Sequence, residues 1–433
     1  MTKKIKTETT LQSVKGMHDL IGDDYYLYQG FMEKAAEVAI YYGFKPIETP
    51  ILEKEELFLR GVGESTDIVQ KEMYAFKTRG GDKLVLRPEG TASVMRSYLE
   101  HGMTALPQPL QFYYAGPFFR HENPQAGRTR QFWQFGLEVL GTSKSVADAM
   151  IVSLVKNILT EVGLKNLQID INSIGDPDCR ANWRRDLVNY YKKHTREICP
   201  DCRERLKENP LRVLDCKNEK CQPIKAEAPE SISYLCSGCK AHFKEVLEYL
   251  DEMGVDYRIN ASLVRGLDYY SRTVFEISSH AEGEDGTTVP LALGGGGRYD
   301  YLAKTLGSKK EVPAVGASLG IDRIIAAAGY NRPTPRIIKK PKVFFIQLGF
   351  EAKLKSFPVI EILRAAKIPI VQTIAKDSLS AQLAQAEKLR VPLAIILGQK
   401  EAHEGSVIVR NMDTRSQDTI KVEKLAEYLK TLK

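Results

Sequence analysis

The stretch from Pro109 to Gly141 constrains the fold more than any other part of the chain. Its two ends, Pro109 to Phe119 and Gln131 to Gly141, are apolar and aromatic with polar residues interspersed, the pattern of strands half buried in a sheet. Between them lies HENPQAGRTR, too polar and too rich in turn-forming residues to continue either strand. The pattern predicts two strands joined by a long basic loop, with Arg120, Arg128 and Arg130 around it. Gln134 and Glu138 stand four apart on the returning strand, so their side chains share one face of the sheet. The planar guanidinium of Arg120 is suited to hold two phosphate oxygens at once. A solvated hairpin is the bland alternative, but it does not explain an aromatic strand that leads into FRHE.

The rest of the chain supplies a frame for that hairpin. At 433 residues it exceeds what one hydrophobic core usually supports, so more than one domain is expected. Residues 25 to 42 carry apolar side chains at helical spacing, and Gly43 follows as a stop signal. From about Asp176 the charge density rises and helical runs such as DCRANWRRDLVNYYKKH appear, which predicts a mostly helical insertion over 176–255. Strand-like segments return at Arg272 to Ser278, Val289 to Leu293 and Val315 to Leu319, with the polar HAEGEDGTT loop among them. NRPTPRIIKK reads as an exposed linker. Beyond it VFFIQLG, IPIVQT, LAIILG and SVIVRN alternate with helical stretches, the pattern of a small α/β domain with a largely parallel sheet. The predicted division is therefore 1–335, interrupted at 176–255, and 336–433.

Charge and cysteine content narrow the partners. Residues 336–433 carry 18 Lys and Arg against 10 Asp and Glu, an excess of eight, so the net +7 of the whole chain leaves −1 for everything before them. A basic terminal domain suits a polyanion, although a solvated surface has the same composition. The basic MTKKIKTETT is followed by no apolar stretch of signal-peptide length and no run long enough to span a bilayer, so a cytoplasmic protein without membrane contact is expected. In that setting the seven cysteines are thiols or metal ligands rather than a disulfide framework. Six of them fall between Cys199 and Cys239. Two CxxC pairs, Cys199 with Cys202 and Cys236 with Cys239, have the spacing of a tetrahedral structural zinc site; reduced thiols in a helical insertion are the alternative.

In LRPEGT, Leu86 to Thr91, Glu89 and Thr91 could together accept hydrogen bonds from a substrate ammonium, beside the flexible Gly90. The run Gly294 to Gly297 lacks both the Lys-Ser/Thr ending of a phosphate-binding P-loop and the spacing of a dinucleotide fingerprint. Close backbone approach to a small substrate, or flexibility at a strand end, fits it better.

Taken in order, these segments resemble a known family. FRHE, the polar loop and the strand ending in Glu138 resemble motif 2 of class II aminoacyl-tRNA synthetases. GFKPIETPILEKEELF, Gly43 to Phe58, resembles motif 1, with Pro50 at its dimer-interface position, and VGASLGIDRI, Val315 to Ile324, resembles motif 3. LVRGLDYYSRTVFE, Leu263 to Glu276, and GGGGRYDYL, Gly294 to Leu302, are similar to the signatures of the histidyl-tRNA synthetases within that class.

The resemblance implies an α+β fold: an antiparallel catalytic sheet flanked by helices, the helical insertion, and a C-terminal anticodon-binding domain, LAIILGQKEAHEGSVIVRNM being similar to that module. It implies activation of histidine with ATP as substrate together with Mg2+, followed by transfer to tRNA, in a homodimer. By motif position it gives Glu89, Gly90, Thr91, Gln134, Glu138, Tyr269, Tyr270 and Tyr299 to histidine. It gives Arg120, Glu122, Arg265 and Arg323 to ATP, with Arg120 and Arg265 catalytic. A zinc site would depart from this family. Two rival readings are a regulatory subunit of histidine biosynthesis, opposed by the intact motifs and the C-terminal domain, and a noncatalytic zinc-dependent nucleic-acid scaffold, opposed by the order of the motifs.

Overall fold

A computed structural model of the chain describes residues 10–124, 127–282, 288–327, 329–375 and 377–432. Gln125 and Ala126 of the basic loop, and most of HAEGEDGTT, lie outside the described residues. The chain forms two compact units, Met1–Pro335 and Arg336–Lys433.

In the first unit the helix Asp23–Tyr41 ends where Gly43 takes a positive φ of 86°, a conformation costly for other residues. A short strand β1 (Lys45–Pro46) follows. Strands β2 (Leu52–Lys54), β3 (Tyr74–Lys77) and β4 (Lys83–Leu86) form a small antiparallel sheet in the order β2-β4-β3. Thr91–Glu100 is helical.

The expected hairpin is β5 (Leu110–Phe119) and β6 (Gln131–Leu140), antiparallel over their full length. They join β7 (Gln168–Ser173), β8 (Arg258–Ile259), β9 (Ser271–Glu282), β10 (Thr288–Arg298) and β11 (Ala314–Gly320) in one sheet ordered β1-β5-β6-β11-β10-β9-β7-β8. Its interior pairs are antiparallel; only the edge strands β1 and β8 run parallel to their neighbours.

The two faces of this sheet have different jobs. Phe135, Leu137 and Val139 of β6 point to a core shared with the helices Asp23–Tyr41, Ser145–Glu161 and Ser237–Glu252. Tyr114, Phe118 and Phe132 belong to the core on the opposite face, with Tyr269, Tyr270 and Tyr299. The helix Ser237–Glu252 falls within the stretch expected as an insertion, yet its Phe243, Val246 and Leu250 belong to the main core. The helices and short turns from Pro177 to Tyr234 pack on the other face instead, where Trp183, Leu187 and Tyr191 share the core of Tyr114, Tyr269 and Tyr270.

Sequence reading missed the polar knot that ties this core together. Arg298, with no exposed surface, donates through Nε to both carboxylate oxygens of Asp148 at 3.2 and 3.1 Å, and through Nη1 to Asp300 at 3.0 Å and to the Thr142 carbonyl at 2.8 Å. His242 lies 3.2 Å from the same Asp148. The knot joins β10 to the helices Ser145–Glu161 and Ser237–Glu252.

The second unit contains β12 (Val343–Gln347), β13 (Ile370–Gln372), β14 (Leu393–Leu397), β15 (Ser406–Asn411) and β16 (Gln417–Lys421), in the order β13-β12-β14-β15-β16. The first three are parallel and the last two antiparallel. Val343 and Phe345 pack into one core and Phe344 and Ile346 into another, which explains the unbroken apolar run VFFI in a strand covered on both faces. Among the described residues of the chain, no helix is long and apolar enough to cross a membrane.

Replacing Arg298 with Met leaves the Asp148 carboxylate buried without its cation and should cost about 3 to 5 kcal/mol of stability. Burial opposes ionisation of Asp148, but Arg298 and His242 beside it hold its carboxyl below the usual range. A carboxyl depressed in the folded state adds stability above its unfolded pKa, and that stability fades as pH falls through the folded value. The gap between wild type and variant in urea denaturation should therefore be widest at neutral pH and narrow on acidification. A gap under about 1 kcal/mol at neutral pH would show that the knot contributes little.

Candidate active site

The turn Glu89 to Thr91, the hairpin, the segment from Arg265 to Tyr270 and strands β9 to β11 enclose a cleft of about 240 Å³. Glu89, Gly90, Thr91, Arg120, Glu122, Gln134, Arg265, Tyr269, Tyr270 and Arg323 all line it. Glu138 and Tyr299 do not; they lie in the wall behind, with 0% and 1% of their surface exposed.

Glu89 sits just before the helix Thr91–Glu100 and its carboxylate accepts from Thr91 N and Ala92 N, both at 2.8 Å. These are amides that a helix start otherwise leaves unpaired, so the PEGT turn fixes the carboxylate's direction. Tyr269 Oη donates to the same group at 3.2 Å. Glu138 accepts from Thr91 Oγ1 at 2.7 Å, from Tyr114 Oη at 3.4 Å and from Tyr299 Oη. Burial is the main cause that pushes Glu138 up to about 8, with the neighbouring Glu89 adding to it and the three hydroxyls opposing it.

Two glycines make room for this arrangement. Gly316 of β11 pairs with Glu138, and a Cβ there would stand 1.7 Å from Glu138 Oε2. Gly295 of β10 pairs with Glu276, and a Cβ there would fall 2.6 Å from the Phe275 carbonyl and 2.9 Å from an Arg265 nitrogen. The run Gly294 to Gly297 is thus strand interior, neither a phosphate loop nor a flexible end, because its neighbours lie across it.

The arginines are held from behind. Arg120 donates through Nε to the Pro88 carbonyl at 2.9 Å and stacks over Phe132. Arg323 is anchored by the carbonyls of Gly127 at 3.1 Å and Ala292 at 3.0 Å. Burial pushes Arg323 below its usual value, with Arg128 and Arg120 adding to the shift and Glu122 and Glu276 opposing it. Arg265 pairs with Glu276 at 2.6 Å. Asp268, the nearer acid in sequence, is occupied elsewhere, by Asn209 at 2.8 Å and Ser65 at 3.2 Å. Two buried polar atoms on the cleft's lining residues, Gln134 Oε1 and Arg265 Nε, have no hydrogen-bond partner.

Tyr114 and Glu276 were missed as site residues by the sequence reading. Glu276 lies inside the quoted segment LVRGLDYYSRTVFE, but only the pairing of β9 with β10 turns it toward Arg265. Tyr114 was one aromatic in an aromatic strand, and nothing in its spacing marked it out.

One expectation is corrected. Cys199, Cys202, Cys236 and Cys239 do not form one site. The chain after Cys202 turns back so that Cys216 and Cys221 join the first pair, whereas Cys236 and Cys239 open the helix Ser237–Glu252 and meet Asp176 and Cys179.

Comparison with known proteins agrees with this geometry. The profile of the family described as histidyl-tRNA synthetase matches residues 16–175 and 220–324, and that of an anticodon binding domain matches 342–432. A histidine–tRNA ligase of Dehalococcoides mccartyi is 44% identical over 96% of this chain and 98% of its own length. One from Caldicellulosiruptor bescii is 41% identical over 97% and 98%. The crystal structure of the apo histidyl-tRNA synthetase of S. aureus superposes with a TM-score of 0.79 at 31% identity, over 97% of this chain and 100% of that one. With the profile covering more than half its residues and the relatives nearly all of them, the chain belongs to the histidyl-tRNA synthetase family.

Proposed function

We propose that the chain is a histidine–tRNA ligase, which uses ATP to convert L-histidine to histidyl-adenylate and pyrophosphate, then passes the histidyl group to the 3′-terminal adenosine of tRNA(His), releasing AMP. One observation carries the reading: Glu89 with Thr91, Arg120, Gln134, Arg265 with Tyr269 and Tyr270, and Arg323 come from five separate segments and open onto one cleft.

In this reading the histidine ammonium lies against Glu89, Gly90, Thr91 and Gln134, and the unpartnered Gln134 Oε1 supports that direction. The imidazole points toward Tyr269 and Tyr270, with Glu138 and Tyr299 behind them. Buried hydrogen-bonding groups reject an amino acid whose side chain leaves them unpaired. ATP enters as its Mg2+ complex, with Arg120, Glu122, Arg265 and Arg323 around the phosphates. Attack of the histidine carboxylate on the α-phosphate concentrates negative charge, and cations fixed in advance stabilise it without reorganising. Arg120 and Arg265 take that catalytic role.

Residues 1–335, interrupted at 176–255, would carry activation, and 336–433, where the basic excess lies, would bind the tRNA. Exposed Ile51 and Leu52 beside Pro50 support a homodimer interface at motif 1. The free cysteines are in keeping with a cytoplasmic setting. Structural zinc belongs to the insertion, since no cysteine lines the cleft.

Three measurements test this reading. Arg265→Ala should slow adenylate formation about 100- to 1000-fold, the effect of losing one electrostatic donor, while histidine binding changes far less. Lys at this position should rescue only in part, because an ammonium lacks the two-pronged contact; a near-normal single-turnover rate for the Ala variant would remove Arg265 from the mechanism.

Glu138 must lose its proton to accept an imidazole N–H, and burial keeps that proton on it below about pH 8. The KM for histidine should therefore fall as pH rises toward that value, by up to about tenfold per pH unit. Glu138→Gln should flatten this dependence, and an unchanged slope in the variant would contradict the assignment.

Deleting residues 336–433 should spare histidine-dependent pyrophosphate exchange but strongly weaken tRNA charging, and salt should weaken tRNA binding by the intact chain. Normal charging by the truncated protein would show that the domain has another role.

A further inference from the structure

Four thiols from two turns meet inside the insertion. Cys199 caps the helix Pro200–Glu208 and Cys202 lies in its first turn. Cys216 follows the turn Pro210–Asp215, and Cys221 ends the turn Glu219–Cys221. Their exposures are 6, 0, 6 and 2%, and their sulfurs all lie within 4.8 Å of one another.

The distances discriminate between chemistries. Cys199 Sγ is 3.8 Å from Cys216 Sγ, and Cys202 Sγ is 3.9 Å from Cys221 Sγ. A disulfide requires about 2.0 Å, so these are not oxidised pairs. Four sulfurs bound tetrahedrally at about 2.3 Å from a central ion stand about 3.8 Å apart, which matches both separations.

The surrounding backbone favours thiolates. Cys199 N donates to Cys221 Sγ at 3.2 Å and Asn218 N to Cys216 Sγ at 3.4 Å. The positive end of the helix Pro200–Glu208 falls on the first pair. Gln222 Nε2 fastens the second turn by donating to the carbonyls of Cys216 at 2.9 Å and Asn218 at 3.1 Å.

We propose that Cys199, Cys202, Cys216 and Cys221 bind one zinc ion as a closed, structural tetrathiolate site. Thiolates in a tetrahedron select zinc over magnesium or calcium, and four buried sulfurs leave no open position for a reacting water. The site accounts for how residues 199–226, built from a nine-residue helix, a five-residue helix and short turns, hold a fixed shape, because binding free energy becomes folding free energy.

The other group, Asp176 with Cys179, Cys236 and Cys239, is satisfied without a metal. Cys239 Sγ donates to Asp176 Oδ2 at 3.2 Å, while Asp176 and Cys236 accept from backbone amides as helix caps. The ion would also brace the cleft from outside. Between Cys202 and Cys216, Asn209 holds Asp268, three residues after Arg265, at 2.8 Å, and Arg212 holds Asp67 at 2.6 Å. That consequence rests on the functional reading of Arg265, whereas metal binding does not.

The test uses the full chain purified without chelator or added metal. Elemental analysis should find a zinc equivalent that Cys202→Ser and Cys216→Ser lose and Cys239→Ser keeps. Should a serine variant fail to fold, cobalt exchanged into the wild type provides a second readout. It should give thiolate charge-transfer bands in the near ultraviolet and the visible bands of a tetrahedral ion. A metal-free wild type whose melting temperature ignores chelator, a cobalt form without thiolate bands, or zinc lost only in Cys239→Ser would overturn the proposal. A zinc-replete wild type without histidine-dependent pyrophosphate exchange would instead count against the functional reading alone.

Discussion

A carboxyl group with no contact to solvent is costly to leave unpaired, and Glu138 occupies such a place in the middle of the large sheet. It is tolerated because three hydroxyls reach it, from Thr91 at the start of the helix Thr91–Glu100, from Tyr114 of β5 and from Tyr299 just after β10. Each partner in turn needs space. Gly316 removes the Cβ that would collide with the carboxylate, and Gly90 and Gly136 both lie against the Tyr114 ring. The rear wall of the cleft, its glycines and its tyrosines therefore follow from burying a single acid.

The opposite wall is organised by cations rather than by an acid. Arg120 and Arg323 spend some of their donors on backbone carbonyls and Arg265 spends one on Glu276, so each is fixed before any anion arrives. Such pre-positioning is what makes a charge effective against a developing negative charge, because no protein reorganisation is required at that moment. Glu122, 3.8 Å from Arg120 and 3.5 Å from Arg128, offsets part of the repulsion among Arg120, Arg128 and Arg323.

Much of the cleft was legible because the informative residues sit in short contiguous segments. LRPEGT, FRHE and RGLDYY each combine a strand end or helix start with a charged group, and four-residue spacing put Gln134 and Glu138 on one face without any structure. The cysteines show where such reasoning stops. CxxC spacing identifies which thiols are close along the chain, but not which pairs meet, and the turn back between Cys202 and Cys216 brought a wider-spaced pair to the first one. The Arg298, Asp148 and His242 knot was equally hidden, since its members lie 150 and 94 positions apart and none has a local pattern.

By itself the sequence determined what periodicity and local chemistry can carry. It specified the hairpin of β5 and β6, a second unit with the basic excess, and the order of motifs that placed the chain in its family, but its 176–255 insertion took in the helix Ser237–Glu252 that belongs to the main core. The partners of those residues were decided by tertiary structure. Strand pairing set Glu276, not Asp268, against Arg265, made the glycine run an interior strand, and sent Glu138 behind the wall while Tyr270 stayed at the cleft. The physical reason is that alternation along a strand fixes which face a side chain takes, whereas the atom it meets there belongs to a strand or helix whose register only the packed sheet defines.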